Sequence, residues 1–142
     1  MMGPSKGRVA AIMVSANNLV RSIFGFSRCN IRALVCSVEI AYDLMFVQGR
    51  TRDSIYVTKD IYPVVAKELC AKECDTVARH IERLCNRGWE RIKRDQKLMD
   101  RFVGNHAEEL DAPSELIFFL ACYMKYERPF REVLEQEPAL TF

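Results

Sequence analysis

The chain has 142 residues, 49% hydrophobic and 28% charged, the size of one domain with enough apolar content for a core. Five prolines and six glycines are too few for a linker-rich chain, and no apolar run reaches the roughly 18 residues of a membrane-spanning helix. The net charge of +2 is unevenly spread: residues 1–60 carry 8 Lys/Arg against 4 Asp/Glu, residues 61–106 carry 10 against 7, and residues 107–142 carry 3 against 8, which favours an anionic partner over a cationic one.

Apolar residues recur at three- and four-residue steps almost throughout, which predicts an all-α fold. A first helix runs from about Val9 to Phe24, with Ile12, Leu19, Val20 and Ile23 inward and Gly25 ending it. A second runs from about Asn30 to Val47 on the stripe Ile31, Leu34, Val38, Tyr42 and Met45. Asp53 to Val57 reads as a brief extended connection. A third helix starts near Thr58, whose hydroxyl suits a cap, or nearer Asp60 so that Pro63 falls in the first turn. Its buried stripe is Ile61, Val65, Ala66 and Leu69.

After a break at Cys70 to Cys74, a fourth helix capped by Asp75 continues to about Ile92 on Val77, Ile81, Leu84, Gly88 and Ile92. A short helix follows around Gln96 to Val103, then the polar loop Gly104 to Asp111. Pro113-Ser114-Glu115 opens a helix to about Tyr126 whose centre, Leu116 to Leu120, is apolar all round and therefore deep in the core. The acidic segment 127–142 contains Phe130, Val133 and Leu134. It reads as a solvated tail with a last amphipathic turn or two, the alternatives being docking on a basic partner or folding back over the fourth helix.

Lys6 and Arg8 precede the apolar stretch Val9 to Ala16, which is short and is followed at once by Asn17-Asn18, so no secretory leader is read there. Cysteines 29, 36, 70, 74, 85 and 122 mostly sit in apolar stretches, where reduced thiols act as small hydrophobes, and a cytoplasmic setting is expected. Cys70, Cys74, His80 and Cys85 could ligate zinc, but their spacing matches no familiar module and core cysteines are the preferred reading. No phosphate-cradling glycine loop, His-Glu-x-x-His pair or serine elbow is present, so no catalytic site, metal or cofactor is expected. His80 reads as packed and His106 as solvated.

The informative feature is the pair of helices between Thr58 and Ile92, joined by a short turn. A helix-turn-helix places its second helix in the major groove while the first braces it on the backbone. On the polar side of the second helix fall Asp75, Thr76, Arg79, Glu82, Arg83 and Asn86. Of these, Thr76, Arg79, Arg83 and Asn86 are the candidate base contacts, since such side chains hydrogen-bond base edges. Thr58, Lys59, Arg87, Lys93 and Arg94 are the candidate backbone contacts, with Arg91 and Lys97 extending the basic tail. An ordinary solvated helix with intrahelical pairs such as Arg79–Glu82 is the bland alternative.

The run Ile61-Tyr62-Pro63-Val64-Val65-Ala66-Lys67, with Val77-Ala78-Arg79-His80-Ile81-Glu82-Arg83 and Trp89, resembles the C-terminal effector domain of the sporulation master response regulator, a transcription-factor family of endospore-forming Firmicutes. Phe24-Gly25-Phe26, Ala41-Tyr42-Asp43 and Pro113-Ser114-Glu115-Leu116-Ile117 extend the resemblance over roughly residues 16–126. It implies about six helices that bind double-stranded DNA, with tandem copies, a homodimer on DNA, packed head to tail on adjacent boxes. Arg79 matches a recognition position outright, and Arg83 stands where the family has another base-capable side chain. Thr58 and Lys59 match the start of the supporting helix. Thr76, Ala78 and Glu82 replace charged residues of other kinds and the turn is one residue longer, so a different box is expected.

Residues 1–15 are too short for the receiver domain that precedes the family's effector domain. The expected organisation is an N-terminal extension (1–15), an effector-type DNA-binding domain (16–126) and an acidic C-terminal segment (127–142). The competing expectation is a protein-interaction adaptor or antagonist on a helix-turn-helix scaffold. Glu82 supports it, because a carboxylate near phosphates is repelled unless it meets a cytosine amino group.

Overall fold

The computed structural model of the protein describes residues 15–25, 28–104 and 113–136, and these form seven α-helices with no strand among them. The fold is all-α. The expected helix start at Val9 and the inward Ile12 lie outside the described residues. Helix α1 (Ala16–Phe24) opens at Ser15, whose hydroxyl accepts from the Asn18 N–H at 3.0 Å, and it closes at Gly25, which adopts φ 62°. No residue with a Cβ takes that conformation without strain.

Helix α2 (Arg32–Tyr42) runs on into a widened turn, Asp43–Val47, closed by the Gln48 N–H to Asp43 C=O bond at 2.8 Å. The stretch read as extended is so only at Ile55 and Tyr56. Arg52–Ser54 instead coils into a tight turn, because Ser54 and Ile55 N–H bond back to Thr51 and Arg52 carbonyls. That turn is fastened to the far end of the chain. The Arg52 guanidinium pairs with the Glu115 carboxylate, donates to Ile55 C=O at 3.0 Å and lies 3.7 Å over the Phe118 ring.

A second widened turn, Val57–Ile61, leads into α3 (Tyr62–Glu68), with Pro63 in the first turn where its missing N–H costs nothing. Thr58 does not cap this start. The residue before the turn is Tyr56, and the Asp60 carboxylate reaches back to its N–H at 2.9 Å while Arg50 holds the same carboxylate at 3.2 Å. Both contacts hold the Asp60 carboxyl below its usual pKa, the Tyr56 N–H most of all.

Helix α3 ends by left-handed closure at Cys70, φ 55°, with Ala71 N–H on Ala66 C=O and Cys70 N–H on Lys67 C=O. Helix α4 (Cys74–Arg94) then has its cap two residues before the expected Asp75. Glu73 occupies the cap position without a side-chain cap bond, and Asp75 sits in the first turn, where its charge still favours the helix dipole.

Helix α5 (Gln96–Phe102) is capped by Asp95, which accepts from the Lys97 and Leu98 amides, and is followed by α6 (Glu115–Tyr126) and α7 (Phe130–Gln136). Helices α2 and α6 form the central pair, with α1 and α4 packed on both. As the all-apolar sequence implies, Leu116 through Cys122 are all buried, and Leu34, Val38, Ile81, Leu84 and Ile92 close around them. Gly88 is what lets α4 come close: a Cβ there would stand 2.9 Å from Leu116 Cδ2 and 3.5 Å from Phe24 Cζ.

Two apolar residues of this segment, Phe130 and Val133, pack against the fold. Val133 is wholly buried, Phe130 stacks on Phe119 at 4.1 Å, and the Arg131 N–H donates to Val103 C=O at 3.1 Å. Phe119 in turn meets Trp89 edge-to-face, so α7 closes an aromatic row that starts on α4. Residues 130–136 are therefore a short packed helix with Glu132, Glu135 and Gln136 exposed, not a solvated tail, and residues 137–142 of the acidic segment lie outside the described residues.

Candidate nucleic-acid interface

The face of α4 opposite its buried stripe is an uninterrupted polar surface. Val77, Ile81, Leu84, Cys85, Gly88, Trp89 and Ile92 point inward, and Thr76, Arg79, Glu82, Arg83 and Asn86 are all exposed. The structure therefore brings the four candidate base-contact residues, Thr76, Arg79, Arg83 and Asn86, onto one ridge. Arg79, Arg83 and Asn86 have no hydrogen-bond or ion-pair partner among the described residues, so their donors face solvent. Thr76 is weakly tied to Glu73 at 3.4 Å. The bland pair Arg79–Glu82 does not form.

Glu82 instead accepts from the Tyr62 hydroxyl at 3.4 Å, which links the ridge to α3. Tyr62 is buried, and burial chiefly, with Cys85 and Glu82 adding to it, pushes its phenol pKa up while a Ser114 hydrogen bond opposes them. The phenol thus stays a neutral donor to Glu82. Helix α3 packs along α4 through the turn at residues 69–73, so the ridge is braced from one side.

The candidate backbone contacts fare less uniformly. Thr58 and Lys59 are exposed at the entry to α3. Arg94 is exposed with no partner among the described residues. Lys93 is held by Glu90 at 3.2 Å, which offsets its charge, and Arg87 approaches Cys29 Sγ at 3.6 Å. Arg91, counted in the basic tail, stays exposed but is tethered to α1: its Nε donates to Ile23 C=O at 2.9 Å and so satisfies an otherwise open carbonyl at the end of that helix.

One arrangement escapes a reading by residue type alone. Arg83, Arg87, Arg91 and Arg94 fall at i, i+4, i+8 and i+11, a single stripe along α4 that continues the ridge toward its C-terminus. The signal was present in the spacing.

The zinc reading finds no support. Among the described residues no three His, Cys, Asp or Glu side chains converge on a metal-sized site, and Cys85 is buried while Cys70 is exposed. Cys70 is thus not a core cysteine; the left-handed turn places it outward. Cys85 and Cys122 are core residues, and burial pushes the Cys122 thiol up to about 12. His80 is half-buried on α4, and His106 lies outside the described residues. No described helix is long and apolar enough to cross a membrane. No protein-family model, curated protein or solved structure matches this chain.

Proposed function

We propose that this chain is a transcriptional regulator that binds double-stranded DNA sequence-specifically, with α4 in the major groove. The observation that carries the reading is the ridge of α4, where Arg79, Arg83 and Asn86 stand exposed and unpartnered among the described residues, braced by α3. Arg forks suit the paired acceptors of guanine and Asn suits adenine. In this reading the exposed Arg94, Arg87, Thr58 and Lys59 meet phosphates, which fixes register without reading sequence. The resemblance to sporulation effector domains supports the same role, with two copies packed head to tail on tandem boxes.

Selection of bound duplexes from a random pool tests the reading. A recovered consensus, with affinity falling steeply as salt rises, supports it. A flat salt response and no enrichment would replace it with the adaptor reading. The observation favouring that second reading is Glu82, a carboxylate on the ridge held in place by Tyr62, which suits a cationic protein surface better than a phosphate backbone.

A further inference from the structure

Two adjoining clefts flank the C-terminal third of α4. One, about 360 Å³, lies between the end of α1 and the α4–α5 junction, with Gly25, Arg91 and Arg94 on its walls. The other, about 260 Å³, is walled by Asn86, Arg87, Arg91 and Arg94. Arg91 and Arg94 are common to both, so the clefts form one groove with two lobes.

The charge in this groove is not balanced locally. Arg87 and Arg91 stand at i, i+4 and Arg91 and Arg94 at i, i+3, spacings at which like charges repel. The two carboxylates on the walls are engaged elsewhere, Glu90 with Lys93 at 3.2 Å and Asp95 with the α5 amides at 3.0 and 3.4 Å. The helix dipole accounts for cations in the last turn of α4, but Arg87 lies two turns before its end. Arg91 is also pre-oriented: its Nε is fixed on Ile23 C=O, which holds the guanidinium against the groove, near Gly25. A fixed guanidinium loses less freedom when it binds an anion.

We infer that this groove is a binding site for phosphoryl groups, one in each lobe, with Arg91 and Arg94 bridging them and Arg87 and Asn86 closing the α4 side. Planar guanidinium forks match phosphate oxygens in pairs. The phosphoryl groups belong either to a soluble diphosphate compound or to consecutive nucleotides of a nucleic-acid backbone. The site shares Asn86, Arg87 and Arg94 with the proposed DNA interface but needs neither Arg79 nor Arg83.

The test is calorimetric titration of the full chain with inorganic pyrophosphate, against sodium chloride of matched ionic strength. Saturable binding is expected, weakened about tenfold or more by Arg94→Gln and by Arg87→Gln and unchanged by Arg79→Gln. Arg91→Ala removes a cap on α1 and is liable to unfold the chain, so the other two variants carry the test. No saturation up to tens of millimolar (roughly), or equal weakening by Arg79→Gln, overturns the site in favour of a diffuse basic surface. Two further arms identify the source. Tighter binding of adenosine diphosphate with the same Arg94 dependence assigns a nucleotide, and displacement of pyrophosphate by a short duplex assigns the nucleic-acid backbone. Pyrophosphate binding in a chain that binds no duplex keeps the site and removes the DNA reading, so the two proposals fail separately.

Discussion

The Tyr62 hydroxyl on α3 donates to the Glu82 carboxylate on α4 across 3.4 Å, the one side-chain hydrogen bond that joins the two helices among the described residues. It fixes a negative charge beside two unpartnered arginines on the ridge. In the DNA reading that charge opposes phosphates, and Glu82→Gln keeps the acceptor while removing the charge. The expected result is tighter duplex binding, by about threefold to tenfold and with no change of consensus, read from fluorescence anisotropy. Weaker binding with a lost base preference would instead make Glu82 a base contact to cytosine.

Gly88 sets how closely α4 approaches α1 and α6. The Cβ added by Gly88→Ala meets Leu116 Cδ2 at 2.9 Å and Phe24 Cζ at 3.5 Å, and both side chains are buried in the core, so Leu116 must shift. Overpacking of this kind costs about 1–3 kcal/mol, against a helix-propensity gain of about 1 kcal/mol. A net loss on the order of 1 kcal/mol is expected in urea denaturation followed by the fluorescence of Trp89, the chain's single tryptophan. A stabilised Gly88→Ala would mean that the helices separate more readily than this packing allows.

Cys70 occupies a left-handed position that ends α3, with φ 55° and no contribution to the core. A residue with a Cβ pays about 1 kcal/mol for that conformation, and glycine does not. Cys70→Gly is therefore expected to raise stability by roughly 0.5–1 kcal/mol without changing the fold, despite the greater freedom of glycine in the unfolded chain. Unchanged or lowered stability would indicate that the Cys70 side chain makes a contact worth as much as the backbone strain.

The helical stripes were legible because burial on one side imposes a period of 3.6 residues; Val77, Ile81, Leu84, Gly88 and Ile92 all lie where that period puts them. The ridge with Arg79, Arg83 and Asn86 follows from the same geometry, as the complement of the stripe. The turn before α4 was legible as a break but not as a left-handed closure, because the usual glycine signal is absent at Cys70. Thr58 looked like a cap by residue type, yet Asp60 reaches the open amide with a charge and Arg50 behind it. The tethering of Arg91 to Ile23 and the pairing of Arg52 with Glu115 join residues 68 and 63 positions apart, which no local pattern encodes.

Alkaline pH is expected to unfold the chain by way of its buried acids. Burial raises the thiol pKa values of Cys85 and Cys122, the latter from 9.0 to about 12, and raises the phenol of Tyr62 from 10.0. A raised pKa means that the folded state holds a proton the unfolded chain has already released. Stability is thus fully present below pH 9, falls as pH rises through 9 to 12, and loses up to about 1.4 kcal/mol per pH unit for each such group. Thermal melts between pH 8 and 11 check the slope. Cys122→Ala removes one group, so its melting temperature should start lower at pH 8 and fall less steeply; an unaltered slope would place Cys122 in contact with solvent.

Lys93 and Arg94 are adjacent on α4, yet the structure separates them. Lys93 is already paired with Glu90 at 3.2 Å, and Arg94 has no partner among the described residues. Removing a paired cation also frees its carboxylate, so Lys93→Ala alters the net field at the ridge, and the double variant Lys93→Ala with Glu90→Ala restores it. Binding of Arg94→Ala to duplex is expected to be weaker by about 1 kcal/mol for all sequences alike, with a shallower salt slope, because a phosphate contact carries no base information. In the Lys93→Ala, Glu90→Ala double variant affinity should stay within about twofold of the parent. Arg79→Ala should behave differently from both, losing about 1–3 kcal/mol on the selected box and relaxing preference at one position. If all three variants lose the same amount on every sequence, α4 meets DNA only through charge, and the base-reading role of the ridge is wrong while phosphate binding stands.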